Sequence, residues 1–259
     1  MSGRIEFRLL NADEIDCRVG QVNGGKSGCT LLLYKNARVD MNLLDEVVGP
    51  FAWKRKHEVV NGNLFCTVSV FHDGEWIDKQ DVGTESNTEK EKGEASDSFK
   101  RACVNWGIGR ELYTAPFIWI NLEAGEIFQR KDGKYGVNQK FFVTEIEYSE
   151  RNIIHLVVKD QGGKVRYSYN TPEFKKVIKQ RIDNATTANE LSSIYAVCGG
   201  ILNEKLTNYF FGKLTEFVNN AKTEEELRLI YKASQWAQNN PALTDLCTAR
   251  KTIILQDAA

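Results

Sequence analysis

The stretch from Asp81 to Tyr113, DVGTESNTEKEKGEASDSFKRACVNWGIGRELY, constrains this chain most, because a helix start, an amphipathic helix and a glycine stop follow there on a run of strands. Ser86 stands three residues before Glu89 and Thr88 three before Glu91, so either pair can close a capping box at the helix entrance. Ala95, Phe99, Ala102, Cys103 and Trp106 recur at helical spacing as one apolar stripe, while Lys92, Ser96 and Lys100 line another face. Gly107 and Gly109 stop the helix. Pattern alone describes an amphipathic helix laid on a sheet, with a solvated charged side. Local charge singles out no ligand, since Glu89, Glu91, Glu94, Asp97 and Glu111 offset Lys90, Lys92, Lys100, Arg101 and Arg110.

Three strands are expected upstream, over Phe51 to Val60, Leu64 to His72 and Trp76 to Gly83, joined by the hairpin signals Asn61-Gly62-Asn63 and Asp73-Gly74. Such a meander running into a helix over residues 88–106 gives an antiparallel β-β-β-α core with the helix across one face of the sheet. Before it, residues 11–20 read as a short helix ended by Gly20, Cys29 to Tyr34 (CTLLLY) as a strand, and Val39 to Val48 as a helix stopped by Gly49 and Pro50. After it, PFIWINL, KFFVTEIEY, NIIHLVVKD and KVRYSYN read as strands that either extend the first sheet or form a second.

Composition shifts near Thr171, where Thr171-Pro172-Glu173 is a helix entrance with a threonine cap and proline at the first helical position. Beyond it strand signals stop and a repeat begins. Asn184-Ala185, Thr187, Glu190-Leu191 and Ile194-Tyr195 recur as Asn220-Ala221, Thr223, Glu226-Leu227 and Ile230-Tyr231, an offset of 36 residues within the range of helical-hairpin repeats. Each copy carries a capping box, Thr187 with Glu190 and Thr223 with Glu226. The expected fold class is therefore α+β, with a first domain over residues 1–170 and an all-helical repeat domain over residues 171–259 that packs as a compact docking module.

A chain of 259 residues with net charge −1 is not a uniformly basic nucleic-acid binder, so any phosphate contact must come from a local patch. No apolar run is long enough to span a membrane, and MSGRIEFRLL lacks a basic region followed by a long apolar core, so a cytoplasmic protein is expected. Six cysteines without a C-x-x-C pair argue against both a zinc cluster and a disulfide framework, and three scattered histidines suggest no metal site. Gly20, Gly25, Lys26 and Ser27 satisfy G-x-x-x-x-G-K-[ST]. That phosphate loop needs a buried strand before it and a helix after it. Here a helical pattern precedes and a strand follows, so the match reads as a flexible loop.

Several separated elements then fall into one order: the strand CTLLLY, ARVDMNLLDEVVGPFAW, a strand hairpin, DVG, and ASDSFKRACVNWGIGRELY. Over this third of the chain it resembles the Rad fifty-two family of single-strand annealing proteins, in its bacterial and phage branch. The family pattern is an Arg-Val before a helix and a Gly-x-x-x-Trp, then Asp-Val-Gly, then Thr/Ser-Asp-x-x-Lys-Arg-Ala ending in Trp/Phe-Gly. The resemblance implies a β-β-β-α core assembling into homo-oligomeric rings or helical arrays. Single-stranded DNA would lie in an outer basic groove, its phosphates bound and its bases free to pair. The implied function is a phage recombinase type of activity, ATP-independent binding and annealing of complementary strands in recombination and repair, without catalytic residues or cofactor.

Carried over residue by residue, the DNA-contacting arginine falls on Arg38 and the helix pair on Lys100 and Arg101. Lys92 joins them through its place on the Lys100 line, and Arg101 stands four residues after Asp97, as an i, i+4 ion pair requires. Val104 stands where longer members carry another arginine, which implies a differently lined groove. Lys54 and Lys56 either extend the groove or guard a strand edge, with Arg55 sent to the opposite face by strand alternation. Two other readings remain: a nucleotide hydrolase using Gly20 to Ser27, and an adaptor that does not anneal but recruits a partner to DNA ends through the helical repeats. By analogy to phage annealing proteins, a single-strand-binding protein is the partner expected at residues 171–259.

Overall fold

The computed structural model describes residues 3–84, 90–198 and 201–257, side chains of residues 90–92 excepted. The class is α+β with antiparallel sheets. The chain divides into two compact units, Met1–Tyr169 and Asn170–Ala259.

The N-terminal unit begins with a 3-10 turn, Ala12–Glu14, followed by β1 (Asp16–Val22) and β2 (Gly28–Tyr34). The helix expected over residues 11–20 is therefore a strand after a single turn. Asn11, Asp13 and Glu14 supply helix-entrance chemistry that closes on itself: Glu14 Oε2 accepts from the Asn11 N–H at 2.8 Å and is held by Arg8 at 2.7 Å. Cys17 and Val19 then face the core opposite Leu33 and Leu31 of β2, while Asp16 and Arg18 alternate to the other side.

Next come α1 (Ala37–Val48), β3 (Trp53–Val60), β4 (Asn63–His72), β5 (Glu75–Val82) and α2 (Lys90–Trp106). The strands β3-β4-β5 form their own antiparallel sheet. Its turns have positive φ at both central residues, 52° and 79° at Asn61-Gly62, 53° and 86° at Asp73-Gly74, the mirror-type turn whose twist suits two-residue hairpins. Cys66, Val68 and Val70 of β4 point to one face, where Phe99, Ala102 and Cys103 of α2 bury against the same core. Trp106 Nε1 donates to the Val68 carbonyl at 3.1 Å, and the Trp53 ring stacks on Phe99 at 6.1 Å. Ser86, Thr88 and Glu89 lie outside the described residues, as does the side chain of Glu91, so neither capping pair is described.

The remaining strands are β6 (Ile118–Asn121), β7 (Ile127–Gln129), β8 (Tyr135–Val137), β9 (Phe141–Ser149), β10 (Asn152–Asp160) and β11 (Val165–Asn170). They do not extend the meander. Instead β6, β9, β10 and β11 join β1 and β2 in a six-stranded sheet of order β11-β10-β9-β1-β2-β6, and β7 and β8 pair by themselves.

The C-terminal unit contains α3 (Pro172–Asn184), α4 (Ala188–Ala196), α5 (Glu204–Asn220), α6 (Glu224–Ala233) and α7 (Pro241–Asp257). Thr171 caps α3 by accepting from the Phe174 N–H at 3.2 Å. The corners after α3 and α5 share a backbone shape, with φ −61° and ψ 130° at both Ala185 and Ala221. Thr187 and Thr223 cap the following helices. The answering carboxylates reach one residue further back than the simple box, Glu190 to the Thr186 N–H at 2.8 Å and Glu226 to the Lys222 N–H at 2.7 Å. Phe174, Ile178, Leu191, Phe210, Leu214 and Leu227 form this unit's interior.

Candidate nucleic-acid interface

The end of β2, the middle of α2 and the 3-10 turn Arg110–Thr114 enclose one pocket of about 300 Å³. Leu33, Val104 and Leu112 make it partly apolar, while Tyr34, Lys35, Lys100, Arg101 and Tyr113 bring aromatic and cationic groups. Lys35 sits at the corner between β2 and α1 and is only 5% exposed. Its ammonium donates to Asp40 Oδ1 and, at 3.3 Å, to the Lys100 carbonyl. An unpaired buried ammonium would cost several kcal/mol, so Asp40 serves as its counter-charge from the first turn of α1, where the helix dipole also favours an anion. Burial nonetheless pushes the Asp40 carboxyl up to about 6, with Lys35 opposing the shift.

Two glycines let these elements close. A Cβ at Gly83, just after β5, would lie 2.3 Å from the Glu94 carbonyl oxygen, so the glycine of Asp-Val-Gly allows α2 to meet the sheet edge. Gly109 has φ 68°, and a Cβ there would fall 2.4 Å from Lys35 Cε. At the end of α2, Arg110 donates to the Val104 carbonyl at 2.9 Å and Lys79 to that of Asn105 at 2.8 Å, so these two cations serve as helix caps.

The residues expected to contact DNA divide clearly. Lys100 lines the pocket with its ammonium 6.0 Å from the Tyr34 ring centroid, and it forms no ion pair with the described residues. Arg101 also lines the pocket, but its partner is Asp81 on β5, at 3.2 Å, and not Asp97. The sheet approaches α2 closely enough to outcompete the neighbouring turn, and Asp97 accepts instead from the Thr84 N–H and hydroxyl at 3.1 and 3.0 Å. Arg38 is exposed in the first turn of α1, three residues after Lys35, and its guanidinium forms no ion pair with the described residues. The Lys92 side chain lies outside the described residues.

Lys54 and Lys56 are not brought to the pocket. Arg55 sits 4.7 Å over the Phe99 ring and His57 meets the Ala95 carbonyl at 3.1 Å, so those two face α2. Alternation turns Lys54 and Lys56 to the other side of the sheet, Lys54 over Trp76 at 4.0 Å and Lys56 against Glu58 at 3.2 Å. Sequence reasoning missed Tyr34, Lys35, Asp40 and Tyr113. A charged residue directly after CTLLLY, with an aspartate five residues on, was the available signal for the buried pair.

The Gly20–Ser27 segment is the end of β1 and the turn that leads into β2. Several of its amides are occupied: Asn23 Oδ1 accepts from the Ser27 and Gly28 N–H groups at 2.9 and 3.1 Å, and the Lys26 N–H donates to the Asn23 carbonyl at 3.0 Å. Lys26 itself rests over the Tyr135 ring at 4.4 Å. With a strand and not a helix after it, this loop lacks the helix N-terminus that a phosphate cradle uses.

Among the described residues no cluster of three or more His, Cys, Asp or Glu could hold a metal ion, and no helix is long and apolar enough to cross a membrane. The half-buried Glu126 and the buried Asp160 are taken up by Arg166, at 2.7 and 3.1 Å.

No family model and no solved structure matches this chain. It is 32% identical over 111 residues to the single-stranded DNA-binding protein DdrA of Deinococcus deserti, covering 42% of this chain and 55% of that protein. It is also 32% identical over 112 residues to the single-stranded DNA-binding protein DdrA of Deinococcus radiodurans, covering 42% of this chain and 53% of that protein. The chain thus spans about half the length of the curated relatives it matches.

Proposed function

We propose that this chain binds single-stranded DNA through the Lys100 pocket and Arg38, and that it anneals complementary strands without ATP as part of DNA repair and recombination. The similarity to two proteins named for single-stranded DNA binding carries the first part. The pocket supports it physically. Binding without sequence preference calls for cations held on rigid elements; Lys100 lines the pocket and Arg38 is exposed in the first turn of α1, neither in an ion pair with the described residues. Annealing and assembly into rings or helical arrays rest on the family resemblance of the Cys29 to Tyr113 stretch. In the same reading the C-terminal unit docks a partner such as a single-strand-binding protein, and the whole acts as a binding protein in the cytoplasm and not as an enzyme.

The test is a salt titration of oligonucleotide binding on wild type, Lys100→Ala and Arg38→Ala, with oligomer size recorded for each. Each lost phosphate contact lowers the log–log salt slope by about 0.7 and does so whatever the base sequence. Wild-type affinity and slope in both variants would remove the groove from this site.

A further inference from the structure

Phosphate contacts explain the cations of the pocket but not its other wall. Tyr113 is 74% exposed and Tyr34 37% exposed, and both line the same space as Lys100 and Arg101. A large aromatic side chain so open to water gains little from the fold, since it leaves most of its apolar surface unburied. Leu33, Val104 and Leu112 add apolar lining to the same pocket. The combination is specific in its chemistry: aromatic rings with apolar side chains suit a nucleobase, and the ammonium of Lys100, 6.0 Å from the Tyr34 ring, suits the phosphate attached to it.

We propose that this pocket receives one unpaired nucleobase of the bound strand, stacked against Tyr113 with Tyr34 as the second aromatic wall. The inference rests on the reading that the chain binds single-stranded DNA, and it adds that the strand is held by a base as well as by its backbone. A strand fixed only through phosphates can slide. One seated base defines its register on the protein while neighbouring bases remain free to pair.

Stacking and charge leave different marks on salt dependence, because only charge neutralisation releases counterions. The experiment therefore measures binding of a short oligonucleotide across a salt series for the full chain, Tyr113→Ala, Tyr113→Phe and Phe117→Ala. Phe117 is equally exposed at 74% but lies outside the pocket lining, so it controls for exposed aromatic surface as such. Tyr113→Ala is expected to weaken binding about tenfold at every salt concentration with the slope unchanged, the effect of one lost aromatic–base stack. Tyr113→Phe and Phe117→Ala are expected to match wild type. An oligonucleotide of abasic sugars should bind wild type more weakly and lose nothing further in Tyr113→Ala. If wild type binds with its full salt slope and Tyr113→Ala binds as well, the base pocket is wrong while the DNA-binding reading stands. Equal losses in Tyr113→Ala and Phe117→Ala would also overturn the pocket. If wild type fails to bind the oligonucleotide at all, the underlying reading fails and takes the inference with it.

Discussion

The Gly20–Ser27 turn and the Lys100 pocket both offer lysine among glycines, yet they present opposite surfaces. The turn satisfies a phosphate-binding pattern in sequence, but Asn23 has taken the amides of Lys26, Ser27 and Gly28, and Tyr135 its lysine. The pocket matches no such pattern, and it keeps Lys100 free of ion pairs with the described residues because Asp40 is spent on Lys35 and Asp97 on Thr84. Whether a cation is available is decided by what the tertiary structure has already paired, and spacing along the chain cannot show that.

The largest expected difference between the two regions lies in their glycines. Gly83→Ala drives a methyl group into the Glu94 carbonyl, and denaturant unfolding is expected to show a loss of about 3 kcal/mol. Gly25→Ala meets only the Asn23 side chain at 3.5 Å and should stay within about 0.5 kcal/mol of wild type. Equal losses would mean that the turn is as tightly built as the α2 contact.

A smaller effect belongs to Asp40, which separates burial from attraction as the dominant force beneath the pocket. Its folded pKa of about 6 lies above the ordinary value of 3.8, so the folded state holds this proton more tightly than the unfolded chain. The group therefore favours folding below pH 4, and that share is lost as pH rises through 6. The stability of wild type minus that of Asp40→Asn should fall by roughly 1–3 kcal/mol between pH 4 and pH 7. A difference that grows with pH would show that the pull of Lys35 outweighs the cost of burying the carboxylate.

The smallest effect sharpens the contrast by its absence. Lys26→Ala should leave oligonucleotide affinity and salt slope as in wild type, since its ammonium is engaged by Tyr135 and the loop around it is closed. A lower slope in this variant would bring the turn into the interface.

What could be read from sequence follows the same division between local and distant partners. The Asn61-Gly62 and Asp73-Gly74 turns and the Thr171, Thr187 and Thr223 caps are settled within a few residues, and their chemistry is visible in the string. The strand β1 was hidden because Asp13 and Glu14 imitate a helix entrance and Asp16 and Arg18 sit on its exposed side. For the candidate site, Lys100 and Arg38 could be named from motif, whereas the partner of Arg101 could not. Asp81 lies 20 residues from Arg101 in sequence and meets it only once α2 has docked, while Asp97, one turn away, looked the natural partner. Tyr34 and Tyr113, 79 residues apart, share a pocket for the same reason.

Cys66 of β4 and Cys103 of α2 lie in the seam between that sheet and that helix, both fully covered. Burial raises the Cys66 thiol to about 11 and the Cys103 thiol well above its usual value, so neither is a nucleophile while the seam is shut. Alkylation of these two sulfurs must wait for α2 to lift from the sheet, so their labelling rate is a built-in clock for the opening of the helix that carries Lys100.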